Sequence, residues 1–181
     1  YKIPHAVVGG VRFYDRAEVK DAMAYLRLLI NPQDDQALLR IVNKPARGIG
    51  KTTVDRVGVL AANRETCLGE ALVEFGREAT ARVKGKIQAF VGLLDELRAE
   101  MASRPLDQLI AKLRERSGYM EALAKEGTPE AEARRDNLLE LMASARDFHA
   151  ANEGALDEGR SELELFLEQV ALISDLDTWE D

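Results

Sequence analysis

Pro45-Ala46-Arg47-Gly48-Ile49-Gly50-Lys51-Thr52-Thr53 is the stretch of this 181-residue chain whose residue types and spacing could do chemistry, and that chemistry is phosphate binding. Its glycines, lysine and threonines suggest a nucleotide-binding P-loop. That motif needs Gly, four residues, then Gly-Lys-Ser/Thr behind a buried strand, so that backbone N–H groups can wrap a phosphate pair. Pro45 stands where the first glycine belongs, and proline has no N–H and a fixed φ. The residues in front, Asp34 to Asn43, space Leu38, Leu39, Ile41 and Val42 as a short amphipathic helix and not as a strand. The P-loop reading fails at both points, and a stand-alone P-loop NTPase fails with it.

What the spacing does predict is a helix, a hairpin containing Gly-hydrophobic-Gly, and a second helix opening at Lys51-Thr52-Thr53. A helix-hairpin-helix clamp on a nucleic-acid backbone has this layout. Gly48 and Gly50 allow close approach and turn conformations closed to other residues, and the open N–H groups of the next helix attract an anion. Ile49 is the expected plug into the core. From Ala37 to Arg56 the five cations Arg40, Lys44, Arg47, Lys51 and Arg56 face Asp55 alone, a local net charge of +4. Such a patch binds phosphates without reading base sequence. The same residues also fit a tight interhelical turn with no ligand, and on this segment alone both readings stand.

Elsewhere the chemistry is sparse. The overall charge of −7 confines any nucleic-acid contact to a patch, and from Glu153 to Asp181 ten acidic residues against Arg160 alone, a net of −9, should avoid phosphates. Cys67 is the single cysteine, which leaves no disulfide framework and no cysteine-based zinc site. His5 and His149 sit in no metal-ligand spacing. The carboxylate pairs Asp34-Asp35 and Asp95-Glu96 read as solvated helix faces, with Asp34 suited to an N-cap. No apolar run is long enough for a membrane span.

The elements that would position the hairpin are almost all helices. Apolar positions at helical spacing predict helices from Asp15 or Arg16 to Ile30, around Asp34–Asn43, from Thr52 or Thr53 to Asn63, over Glu65–Arg77 and Thr80–Ala102, from Pro105 to Ser117, from Thr128-Pro129-Glu130 through Phe148, and from Ser161 onward. Ala150–Gly159 reads as a polar connector. Ile3 to Val11 alone looks extended, a short strand ended by Gly9-Gly10. The fold class is therefore mainly α: a compact multi-helix domain with a helix-hairpin-helix-like element and a short N-terminal edge strand. Because a lone strand is not stable by itself, its sheet is expected outside this chain.

Four segments in order resemble the UvrD/PcrA/Rep group of superfamily one DNA helicases: Val8 to Arg16 with Glu18-Val19-Lys20-Asp21; Leu26-Arg27-Leu28 with Asn31-Pro32 and Asp34-Asp35; Arg47 to Thr53; and Phe166-Leu167 with Ala171 to Leu176. The resemblance implies a place within such an enzyme. Residues 1–30 would be the N-terminal edge segment of the 2A motor domain, 31–174 the helical 2B domain, and 175–181 the return toward 2A.

It also implies roles. Arg47, Gly48, Ile49, Gly50, Lys51, Thr52 and Thr53 would grip the backbone of duplex DNA, in an ATP-dependent 3′-5′ helicase acting in repair or replication. Arg12, Phe13, Tyr14 and Arg16 would lie near the single-strand track or motor interface, where aromatic and arginine could stack on a strand. Packing of Phe13 into the core, with Arg16 paired to Glu18 or Asp21, accounts for that segment equally well. Trp179 reads as a packing residue. No catalytic or metal-ligating residue is expected in this chain, and no cofactor; ATP and Mg2+ would belong to the intact helicase, making the fragment inactive alone. Expected partners are duplex DNA and DNA junctions, the remaining domains 1A, 1B and 2A, and repair or replication proteins, with no membrane and a cytoplasmic, nucleoid-associated location in a bacterium. The alternative is a helical protein-protein interaction module without nucleic-acid binding.

Overall fold

A computed structural model describes residues 12–152 and 160–177, and the described residues form nine helices and no strand. They are α1 (Ala17–Ile30), α2 (Asp35–Ile41), α3 (Lys51–Arg64), α4 (Leu68–Glu78), α5 (Ala81–Met101), α6 (Leu106–Arg116), α7 (Tyr119–Glu126), α8 (Pro129–Asn152) and α9 (Glu162–Asp177). The mainly α class is as expected. The strand expected over Ile3–Val11, His5, most of the polar connector and Trp179 lie outside the described residues.

The chain divides into two compact units, one of residues 1–23 and 100–181 and the other of residues 24–99. The second unit carries the hairpin. In it α3 and α2 both pack against α4, whose stripe buries Ala71 and Leu72. Gly76 on that helix admits Ile87 of α5, whose Cγ2 would stand 2.9 Å from any added Cβ. Arg98 of α5 closes the end of α1, donating from Nη2 to Leu28 O at 3.1 Å and from Nε to Leu29 O at 3.3 Å. Those are two of the carbonyls a helix leaves without an internal partner.

The first unit is built on α8, which packs against α6, α7 and α9. Leu109, Ile110 and Leu113 of α6, Leu123 of α7, Leu138 and Leu141 of α8 and Leu163 of α9 are all buried. Phe148 and Phe166 meet edge to face at 5.4 Å. Local sequence sets the helix starts. Thr128 Oγ1 accepts from Ala131 N at 3.1 Å with Pro129 in the first turn, as expected. Ser161 and Glu164 cap each other reciprocally, Ser161 N donating to Glu164 Oε2 at 2.7 Å and Glu164 N to Ser161 Oγ at 3.2 Å, a capping box.

Three local expectations change. Pro105 stands one residue outside α6, at its N-cap position. The segment Glu65 to Cys67 is not helical: Glu65 takes the left-handed conformation with φ 53° and ends α3, so α4 begins only at Leu68. Residues 119–126, between the helix expected to end at Ser117 and the one expected to open at Thr128, form α7, bracketed by Gly118 and Gly127 at φ 76° and 60°.

Candidate nucleic-acid interface

The hairpin joins α2 to α3. Asp34 starts α2, its Oδ1 accepting from Ala37 N at 2.9 Å, while Ala37, Leu38 and Ile41 are buried. The element in front of the glycines is thus a helix, as the apolar spacing predicts. After Val42 the chain turns through a cis Lys44–Pro45 peptide. One side chain then organises the loop: Asn43 Oδ1 accepts from the N–H groups of Arg47 (2.9 Å), Gly48 (3.0 Å) and Ile49 (3.2 Å). Gly48 lies at φ +78°, a conformation that favours glycine. Ile49 is 0% exposed and plugs the hairpin into the core as expected, a burial that stabilises by about 1.5–3 kcal/mol.

Because Asn43 takes the first three N–H groups, the open edge of the loop is the next three. Gly50 is the N-cap of α3 with φ −81° and ψ 179° and brings no side-chain cap. Its carbonyl accepts from Thr53 N and Val54 N at 3.0 and 3.1 Å. Among the described residues no protein group accepts from the N–H of Gly50, Lys51 or Thr52. A Cβ on Gly50 would meet nothing within 4 Å, so another molecule has room to approach the backbone there. Unsatisfied N–H groups at a helix start, with the dipole behind them, form an anion site.

The expected cations are differently placed. Arg47 is half-buried and braces the loop: its guanidinium lies 4.9 Å from the Phe90 ring centre and 5.9 Å from that of Tyr25. Its Nη2 donates to Lys44 O at 2.8 Å and to the Tyr25 hydroxyl, and Tyr25 itself donates to Lys44 O at 2.6 Å. Lys51 is 87% exposed and pairs with Asp55 one turn on at 2.8 Å. Thr52 is exposed and Thr53 half-buried. Asn43, Tyr25, Phe90 and Lys86, whose Nζ lies 3.5 Å from Gly48 O, are residues of this site that sequence reading did not single out. Only Asn43 carried a signal, as a side chain that readily bonds nearby backbone in turns.

The Arg12–Arg16 segment belongs to the other unit. Phe13 is 1% and Tyr14 9% exposed; their rings meet edge to face at 5.1 Å, and Tyr14 and Ser144 share a hydrogen bond of 2.9 Å. Of the two readings left open, packing accounts for both rings. Arg16 lies over Phe13 at 5.3 Å, bonds Asn137 and faces Glu140 at 3.6 Å. It does not pair with Glu18 or Asp21. Those carboxylates are buried on the inner face of α1, where Glu18 accepts from Asn137 and Asp21 from the Tyr119 hydroxyl at 2.7 Å. Burial and the Asp21 carboxylate push the Tyr119 hydroxyl well above its ordinary range. Arg12, at φ 80°, is exposed.

The carboxylate pairs and His149 are engaged structurally. Asp34 also faces Arg27 at 3.4 Å, Asp35 Oδ1 accepts from Leu68 N at 2.8 Å, and Asp95 pairs with Arg98 at 2.9 Å. His149 Nδ1 lies 2.7 Å from Glu162. Among the described residues no cluster of three or more His, Cys, Asp or Glu could hold a metal, and no helix is long and apolar enough to cross a membrane.

A family model described as UvrD-like helicase C-terminal domain matches residues 1–181. The chain is 39% identical over 187 residues to the ATP-dependent DNA helicase UvrD1 of Mycobacterium tuberculosis, covering 97% of this chain and 24% of that protein. It is 36% identical over 184 residues to DNA helicase II of Escherichia coli, covering 99% and 25%, and 32% identical over 181 residues to the ATP-dependent DNA helicase PcrA of Leuconostoc citreum, covering 99% and 24%. The chain thus spans about a quarter of the length of these relatives.

Proposed function

The chain belongs to the UvrD-like helicase family, and from that premise we propose that it is the accessory, duplex-binding 2B part of an ATP-dependent 3′-5′ DNA helicase of repair or replication. In this reading residues 31–174 are the 2B domain, 1–30 and 175–181 are its flanks in the 2A motor domain, and its partners are duplex DNA, DNA junctions and the domains 1A, 1B and 2A. The intact enzyme, a cytoplasmic protein, uses ATP and Mg2+ elsewhere. Pro45 and the helix in front of it make residues 45–53 a poor match to a nucleotide-binding P-loop, which supports this reading.

One observation carries the reading: three adjacent N–H groups, of Gly50, Lys51 and Thr52, are open at the start of α3 beneath a glycine with free space before it. They suit a phosphodiester oxygen, which accepts and does not donate. The hairpin would therefore hold duplexes of any base sequence and let the motor domains pull against a gripped helix.

Gly50→Asp tests this. The backbone at Gly50 is extended and unobstructed, so aspartate fits there, caps α3 and raises stability by a few tenths of a kcal/mol. Its carboxylate then occupies the N–H groups and repels phosphate. The expected outcome is higher thermal stability together with weaker duplex binding across unrelated sequences. Unchanged duplex affinity in a stable Gly50→Asp variant rejects the assignment and favours the protein-interaction reading.

A further inference from the structure

We infer that Lys86, on α5, is a phosphate-contacting cation of the duplex grip, a role that rests on the hairpin reading above. The two expected cations nearest the glycines are committed: Arg47 is wrapped against Phe90 and Tyr25, and Lys51 is held by Asp55. Lys86 arrives from 38 residues away in sequence. Its side chain lies across the hairpin so closely that a Cβ on Gly48 would overlap its terminal atoms. Gly48 is favoured there by its left-handed φ of +78°, while the lysine end laid over it is free to swing aside.

Two features distinguish Lys86 from a structural tie. Among the described residues its one partner is the neutral Gly48 carbonyl at 3.5 Å, the outer limit of a hydrogen bond, which leaves the ammonium's other donors to solvent. Among the described residues no carboxylate lies within ion-pairing distance of it. Arg82 stands one turn before it on α5, exposed and, among the described residues, without a carboxylate partner, so two like charges share one helix face at a spacing that disfavours the helix. A phosphodiester relieves that repulsion. The grip then has two sides, N–H donors from the start of α3 and a cation from α5, with the glycine hairpin between them.

The test is duplex affinity of this chain for a fluorescent DNA of random sequence, from about 50 to 200 mM salt, where log affinity falls with log salt by about 0.9 for each phosphate neutralised. Lys86→Gln can still donate to Gly48 O but carries no charge, and is expected to shallow the slope by about 0.9 with an unchanged thermal midpoint; Lys86→Arg is expected to restore it. Lys86→Met keeps the stem and reads the same slope should Lys86→Gln fail to fold. If the neutral variants keep the full slope while Gly50→Asp weakens binding, Lys86 is a structural tie and the inference is overturned, with the hairpin reading standing. If Gly50→Asp and the neutral variants all bind as the unaltered chain does, the hairpin reading falls and the inference with it. A single-stranded oligonucleotide run in parallel separates a duplex backbone from phosphodiester in general; an equal loss on the single strand overturns the duplex assignment.

Discussion

At the scale of single residues, Arg47 differs most from its sequence-based role. Position and charge made it a phosphate contact, whereas its guanidinium is stacked on two rings and bonded to Lys44 O and Tyr25. Lysine keeps the charge but has neither the planar face nor the fork. Arg47→Lys is therefore expected to cost roughly 1–2 kcal/mol in urea unfolding, through the loss of packing and of hydrogen bonds to buried partners, while the salt slope of duplex binding stays the same. Unaltered stability with a shallower slope would return Arg47 to the phosphate. The positive count of +4 around the hairpin was legible from composition. Which of those charges a ligand could reach was not, because the answer depends on the rings of Tyr25 and Phe90, which are remote in sequence.

At the scale of elements, helices with strong local signals were legible. Asp34 before α2, Thr128 before α8 and Ser161 before α9 cap the starts their sequences imply. Thr128→Ala is expected to lower stability by about 1 kcal/mol. It leaves the hairpin's salt-dependent binding as it was, since Thr128 lies in the other compact unit. A circular-dichroism melt beside a duplex titration checks both halves of that statement, and a loss of binding would contradict it. What the sequence hid has physical causes. Helix α7 buries Leu123 alone, too little for a periodic signal, and Ser117-Gly118 in front of it reads as the end of one helix and not as the start of another. Glu65 takes a left-handed conformation that usually calls for glycine or asparagine, so nothing in its side chain announces that Glu65 to Cys67 stay outside α4. The hairpin was legible as helix, turn and helix because its two glycines and the apolar Ile49 each answer a backbone or packing demand. The Asn43 clamp that selects which N–H groups stay open was not.

At the scale of the whole molecule, net charge and buried phenols together set the response to alkali. Tyr119 and Tyr14 both have hydroxyls pushed above their ordinary value of 10.0, chiefly by burial, with Asp21 adding to the shift at Tyr119. A pKa raised by folding means that the stability it reflects is intact below the unfolded value and is lost as pH climbs past it. Stability is therefore expected to fall from about pH 10 upward, in a chain that is already acidic at −7 and grows more so. Tyr119→Phe should flatten that fall in urea titrations, with Tyr14 carrying what persists; an identical alkaline slope in the variant would show that Tyr119 takes no part. Near neutral pH neither phenol responds.

The fastening of that hairpin has a consequence for how long the molecule keeps its function. Three backbone N–H groups hang on one oxygen atom, Oδ1 of Asn43. Conversion of that carboxamide to a carboxylate, by mutation or by slow hydrolysis, exchanges a nitrogen for an oxygen and alters the shape hardly at all. The three bonds become charge-assisted and tighten, so the loop outlasts the change. A negative charge now sits behind the edge that would receive a phosphate. An ageing molecule would thus stay folded, and even better ordered at its hairpin, while the proposed hold on DNA weakens.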